Sequence, residues 1–203
     1  MNSNIYFINL DKRTDRRDDF LKQFLSVNFC KDNIIRVEAI QHNIGTLGCL
    51  SSHIKTLKQA LKDSYSYAII CEDDFTFKNQ QLDFEKLFAD LINSNVDWDV
   101  MLLAQNAGLI SSTNDAKICK IKRSQTTSGY IIKKSYINTL LSTFEELYEL
   151  TKDYKKNPPH ELCMDIYWKK LQETDKWYVT NPILGYQRRS YSDIENRITD
   201  YRC

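Results

Sequence analysis

The sequence of 203 residues predicts a single α/β domain, a Rossmann-like three-layer fold around a mixed, mainly parallel sheet. Three observations predict it. Short and nearly continuous apolar runs, of which Ile5-Tyr6-Phe7-Ile8 is the first, suit strands buried on both faces. Between these runs apolar residues recur at helical spacing, so strands alternate with helices. No composition shift marks a boundary and no segment repeats, while 42% apolar content fills one core at this length.

The elements follow in order. A strand over Ile5–Leu10 leads into a charged stretch. A helix then carries Phe20, Leu21, Phe24 and Leu25, with Thr14 or Asp15 placed to cap it. Ile34–Ile40 reads as the second strand. The turn Gly45-Thr46-Leu47-Gly48 opens a helix whose Leu50, Ile54, Leu57 and Leu61 form one stripe. The third strand, Tyr67–Cys71, stops abruptly at Glu72-Asp73-Asp74. Phe84, Leu87, Phe88, Leu91 and Ile92 mark an amphipathic helix, and Val100–Leu103 another buried strand. The polar stretch 105–115 reads as a long loop, and Ala116–Lys122 as a half-exposed strand. Gly129–Ile132 is a short strand before a helix capped by Ser135 that runs to about Leu150. After Pro158-Pro159 a helix over His160–Glu173 places Glu161 and Asp165 on one face, with Trp168 three further on. A strand at Trp177–Thr180 precedes a polar segment expected to drape over the surface.

Charge narrows the function. With 28 Lys+Arg against 27 Asp+Glu the net charge is +1, which argues against a broad polyanion-binding surface and a nucleic-acid partner. No apolar run reaches the roughly 18–20 residues of a transmembrane helix, and the opening residues lack the order of a signal peptide. A cytoplasmic protein is the expectation. Six dispersed cysteines, with no CxxC pair and no Cys/His cluster, read as reduced thiols rather than a zinc module.

Ligands of open α/β sheets bind outside the carboxyl ends of the strands. Two features fall there. The first is the Asn9–Arg17 stretch, whose Arg13 and Arg16 can neutralise a phosphate-bearing ligand. The second is Glu72-Asp73-Asp74. Adjacent carboxylates repel one another by about 1–4 kcal/mol unless a cation or solvent relieves them. Oxygen ligands alone suit Mg²⁺ or Mn²⁺. No GxGxxG or GxxxxGK[ST] supports dinucleotide binding or P-loop hydrolysis. On the late helix, a carboxylate beside Trp168 suits a general base for a sugar hydroxyl, because the ring can stack on the sugar.

Together these segments resemble glycosyltransferase family 25, the lipooligosaccharide-biosynthesis and collagen-galactosyltransferase group. The likeness is carried by Ile8-Asn9-Leu10 with Arg13, Asp15 and Arg16; by Gly48-Cys49-Leu50-Ser51-Ser52-His53; and by Ile69-Ile70-Cys71-Glu72-Asp73-Asp74. Gly129–Ile132, Asp165 with Trp168, and Gln187 with Ser192-Asp193-Ile194 follow in family order. The resemblance implies a GT-A fold, a UDP-hexose donor (galactose or glucose), Mn²⁺ (or Mg²⁺), and a glycan or glycoprotein acceptor, as in lipopolysaccharide biosynthesis. It implies that Asp74 ligates the metal, that Glu72 shares it or faces the ribose, and that Asp73 reaches the donor sugar. Asn9, Leu10 and Arg13 line the nucleotide pocket, with Ser52 and His53 in its floor. Gln187 and Asp193 are further ligand candidates. Asp165, with Glu161 as its rival, is the base for an inverting displacement. Residues 1–104 are expected to hold the donor and 105–203 the acceptor. A sugar-1-phosphate nucleotidyltransferase would need a Gly-rich basic signature, and DKRTDRR has no glycine. A degenerate binding homologue would not be expected to keep an intact acidic triplet.

Overall fold

The computed structural model describes residues 3–27, 29–106, 108–192 and 197–200. Along the chain run β1 (Ser3–Asn9), α1 (Thr14–Ser26), β2 (Ile34–Glu38), α2 (Gly45–Ala60), β3 (Tyr67–Glu72), β4 (Phe75–Phe77) and α3 (Phe84–Ile92). Then come β5 (Val100–Leu102), β6 (Leu109–Ser112), β7 (Ile118–Lys122), β8 (Gly129–Lys133) and α4 (Lys134–Thr151). The last are α5 (Met164–Tyr167), α6 (Lys169–Thr174), β9 (Trp177–Thr180), β10 (Gly185–Gln187), β11 (Ser190–Ser192) and β12 (Arg197–Thr199).

Eight strands form one mixed sheet in the order β2-β1-β3-β8-β5-β9-β7-β6. β1 pairs in parallel with β2 and β3, and β5 with β9, whereas β8 and β7 run against their neighbours. Period-2 alternation sends successive side chains of one strand to opposite faces. Tyr6, Ile8, Ala68 and Ile70 enter one core with Leu50 and Leu57 of α2 and Leu140 and Phe144 of α4. Ile5, Phe7, Ile69 and Cys71 enter the other with Phe20 and Phe24 of α1 and Phe84 and Phe88 of α3. The continuous apolar runs are therefore central strands covered on both faces, as their composition predicts. A phenylalanine stack, Phe7–Phe20 at 4.5 Å and Phe20–Phe24 at 4.3 Å between centroids, ties α1 to the sheet.

Several local expectations change. Thr14 is the first residue of α1, not its cap: Arg13 stands at the cap position, where no side chain makes a capping hydrogen bond. Gly45–Gly48 already belongs to α2. Lys133 leaves β8 extended, so α4 begins at Lys134 without a Ser135 cap. The supposed loop 105–115 contains β6, an exposed edge strand that β7 draws into a hairpin. The helix expected over 160–173 is broken: Cys163 is extended (φ −74°, ψ 142°), and only a short 3-10 turn precedes it. The polar C-terminal segment forms β10, which pairs with β4 behind the acidic triplet, and the antiparallel pair β11 and β12.

Trp168 is fully buried, with its ring 5.0 Å from Trp177 and 5.8 Å from Tyr130, and its Nε1 donates to the Ser124 carbonyl. It is a core residue and cannot stack on a sugar. Trp168→Ala should cost about 3–5 kcal/mol of unfolding free energy, read as a lowered denaturant midpoint. A loss below about 1 kcal/mol would contradict this placement.

Candidate active site

The carboxyl ends of β1, β2 and β3 point to one edge of the sheet, where the order turns at the β3–β8 antiparallel neighbour. A pocket opens there. Its walls come from the β1–α1 loop, the segment after β2, the first turns of α2, the end of β3, and Gln187 and Ser192 from the C-terminal segment.

Each acidic side chain has its own surroundings. Asp73, nearly buried, accepts from Asn9 Nδ2 at 2.7 Å and from Arg16 Nη1 at 2.7 Å. Asp74 Oδ2 accepts from Arg16 Nη1 at 3.2 Å and from Gln187 Nε2 at 3.3 Å, while its Oδ1 is buried with no hydrogen-bond partner. Burial, then the charge of Glu72, pushes the Asp74 carboxyl up to about 7 despite Arg16. Glu72 accepts from Thr127 Oγ1 at 2.5 Å and stands 3.5 Å from His53 Nε2. Burial opposes its charge, but His53 and Thr127 hold its carboxyl below the usual range. Two of the three carboxylates, Asp73 and Asp74, thus converge on Arg16, which also donates to Ser190 Oγ and the Tyr191 carbonyl at 2.6 and 2.7 Å.

The floor is built by α2. A Cβ on Gly48 would come within 2.8 Å of the Ile40 carbonyl oxygen, so glycine lets the helix approach this backbone. Ser52 Oγ donates to the Gly48 carbonyl and accepts from Ile40 N, locking that approach. On the inner face His53 is fully buried, its Nδ1 3.1 Å from Tyr130 Oη and its ring beside Phe144. The ligand atoms of Cys49, His53 and Glu72 all lie within 4.8 Å of one another.

Most residues expected from the sequence meet here: Leu10, Arg13, Arg16, Ser52, His53, Glu72, Asp73, Asp74, Gln187 and Ser192 all line the pocket. Asn9 lies behind its wall, 1% exposed, donating to Asp73 and the Arg13 carbonyl and accepting from Arg36. Asp165 sits at the start of α5 with Oδ2 3.3 Å from Thr126 N. Burial, reinforced by the charge of Glu72, raises its carboxyl above the usual range. Glu161 is exposed on the preceding turn, so the break at Cys163 separates the two acids expected on one helix face. Asp193 lies outside the described residues. Sequence reasoning passed over the Cys49–His53–Glu72 group, although two of its members stand four apart in one helix. It also missed Thr126, a β-branched residue at φ +75° whose hydroxyl donates to Gln187 Oε1. Such backbone strain collects at functional sites, but a single sequence carries no mark of it.

The model of glycosyltransferase family 25 (LPS biosynthesis protein) matches residues 43–155, more than half of the chain. The chain belongs to glycosyltransferase family 25. The matched stretch holds the Gly48–His53 segment, the Ile69–Asp74 strand with its acidic end, and Gly129–Ile132. As a family 25 member the protein is a glycosyltransferase. Among solved structures it is similar to A197 from STIV (11% identity, 98% of this chain and 95% of that one, TM-score 0.55). It is also similar to a glycosyltransferase involved in the glycosylation of the major capsid of PBCV-1 (12% identity, 96% of both chains, TM-score 0.56). These likenesses span nearly the whole chain and bear out the GT-A type of fold expected for family 25. No curated protein matches the chain. Among the described residues no helix is long and apolar enough to cross a membrane.

Proposed function

We propose that this family 25 glycosyltransferase moves a hexose, galactose or glucose, from a UDP-sugar to a hydroxyl of a glycan or glycoprotein acceptor, with inversion and with Mn²⁺ (or Mg²⁺). The observation that carries the reading is Asp74: a buried carboxylate with an orphaned oxygen, its ionisation opposed by burial and by Glu72. Carboxylate charge that Arg16 offsets only in part fits a hard divalent cation, with Asp74 and Glu72 as the residues that would hold it. When bound, such an ion neutralises charge developing on the departing diphosphate.

The other roles follow from the chain's own geometry. Asn9 and Arg16 fix Asp73 from two sides, so that it can be held toward the donor sugar. Arg16, its terminal nitrogens held by Asp73, Asp74, Ser190 and the Tyr191 carbonyl, offers a phosphate its positive field, and Arg13 adds a second cation at the same wall. Gly45 opens α2 at the pocket, where the positive end of a 16-residue helix favours an anion. Asp165 is assigned the base. Its raised carboxyl is moved toward the operating pH, where general-base catalysis is most efficient. Residues after 104 carry this base and, in our reading, most of the acceptor site. Donor binding also draws on Gln187 and Ser192, so the two functions overlap in sequence.

Calorimetric titration of UDP with and without Mn²⁺ tests the reading. Binding with the metal should be at least about tenfold tighter, or roughly 1.4 kcal/mol. A screen of UDP- and GDP-hexoses for Mn²⁺-dependent hydrolysis then names the donor. Equal affinity without metal would overturn the assignment.

A further inference from the structure

We propose that Cys49, His53 and Glu72 form a second, thiophilic metal site for Zn²⁺ at the back of the pocket, which shares Glu72 with the hard-cation site at Asp74 but differs from it in ion and in the Cys49 and His53 ligands. The three ligand atoms come from one turn of α2 and the adjacent end of β3, and they lie within 4.8 Å of one another. Zinc bonded to sulfur at about 2.3 Å and to nitrogen or oxygen at about 2.0–2.2 Å sets its ligand atoms roughly 3.3–3.7 Å apart. His53 Nε2 and Glu72 Oε1 are already 3.5 Å apart, so the remaining adjustment belongs to the Cys49 thiol.

The independent pointer is His53. It is fully buried, and its Nε2 is turned toward Glu72 but has no hydrogen-bond partner. A buried donor or lone pair left unmatched is destabilising unless something binds it. Its other nitrogen is already engaged. Nδ1 lies 3.1 Å from Tyr130 Oη, so in the tautomer that a metal would select Nδ1–H donates to Tyr130 and Nε2 presents its lone pair toward the triad. A metal-ligating histidine commonly has this outer-sphere partner, which fixes ring orientation and tautomer. Glu72 Oε1 is held in turn by Thr127 Oγ1. The pocket side is open, since Cys49, His53 and Glu72 all line it. Zinc with three protein ligands and one open position is the arrangement of exchangeable rather than closed structural sites. Thiolate and imidazole favour Zn²⁺ over Mn²⁺ or Mg²⁺, which prefer the carboxylates next door.

The site needs no nucleotide, so its test stands apart from donor binding. Co²⁺ added to the purified, metal-stripped protein should give the near-ultraviolet charge-transfer absorption of a thiolate–cobalt bond. Equilibrium dialysis should show one tightly held Zn²⁺ that displaces the cobalt. Cys49→Ser and His53→Gln should abolish the band. Cys163→Ser, which removes a nearby thiol, and Asp74→Asn should keep it. Tyr130→Phe, a nearly isosteric change, should leave the fold intact while weakening zinc by about 10–100-fold. That effect is not expected of a hydroxyl with only a packing role. Absence of the band, its survival in Cys49→Ser, or its loss in Asp74→Asn would each overturn the proposal. Should His53→Gln fail to fold, Cys49→Ser and Tyr130→Phe still decide it.

Discussion

Asp74→Asn should abolish Mn²⁺-dependent UDP binding and reduce transfer by about three orders of magnitude or more, yet raise the melting temperature of the ligand-free protein. Both effects have one cause. Burial and the charge of Glu72 push the Asp74 carboxyl from 3.8 up to about 7 in the folded state. A carboxyl with a raised folded-state value binds its proton more tightly in the native than in the unfolded chain. Its contribution to stability is full below about pH 4, declines as pH rises, and is gone above about pH 7. Asparagine removes the ionisation, so the variant's advantage should grow over that interval. At pH 8 it should reach on the order of 2 kcal/mol, or roughly 4–8 °C in Tm for a chain of this size. A proton and a metal ion compete for the same oxygens, so Mn²⁺ affinity of the wild type should climb over the same range. Differential scanning calorimetry from pH 4 to 8 and steady-state kinetics check both. Transfer at the wild-type rate, or a Tm that falls at pH 8, would remove Asp74 from the role given to it.

Asp165→Asn separates chemistry from binding. Loss of a general base lowers turnover by about two to four orders of magnitude, while UDP and Mn²⁺ affinities stay within about threefold, since this acid stands outside the walls of the donor pocket. Thr126 N should still bond to the asparagine oxygen, which keeps the local fold. Glu161→Gln, on an exposed turn, should change kcat by less than about twofold. If Asp165→Asn weakened donor binding instead, the residue would belong to the donor site. If Glu161→Gln carried the larger loss in turnover, the base would be reassigned.

What the chain discloses before it is folded depends on how local each signal is. The runs at Ile5–Ile8, Tyr67–Cys71 and Val100–Leu103 announce central strands because burial on both faces demands unbroken apolarity. Glu72-Asp73-Asp74 announces a site because charge at the end of such a strand needs a reason. The three-residue β4 and β10 stay hidden: each exists only through the other, more than a hundred residues away in sequence. Glu161 and Asp165 misled, since helical spacing says nothing of the extended backbone at Cys163. Trp168 looked like a ligand surface because a tryptophan near a carboxylate reads the same in a core. Cys49 and His53 carried half of a pattern, and their third partner arrives only when β3 packs against α2.

The strand order also governs how the molecule can assemble. β5 pairs on one side with β8 and on the other with β9, both synthesised later, and β9 in turn separates β5 from β7. A nascent chain emerging from the ribosome can join β1, β2 and β3 at once, but β5 has no neighbour until about residue 130 and only half its ladder until residue 177. Sheets closed by such distant pairings have high contact order and fold slowly. Meanwhile Val100, Met101 and Leu102, wholly apolar, lie uncovered and prone to pairing with other chains. Expression at lower temperature, or with chaperones that shield exposed strands, should therefore improve the soluble yield.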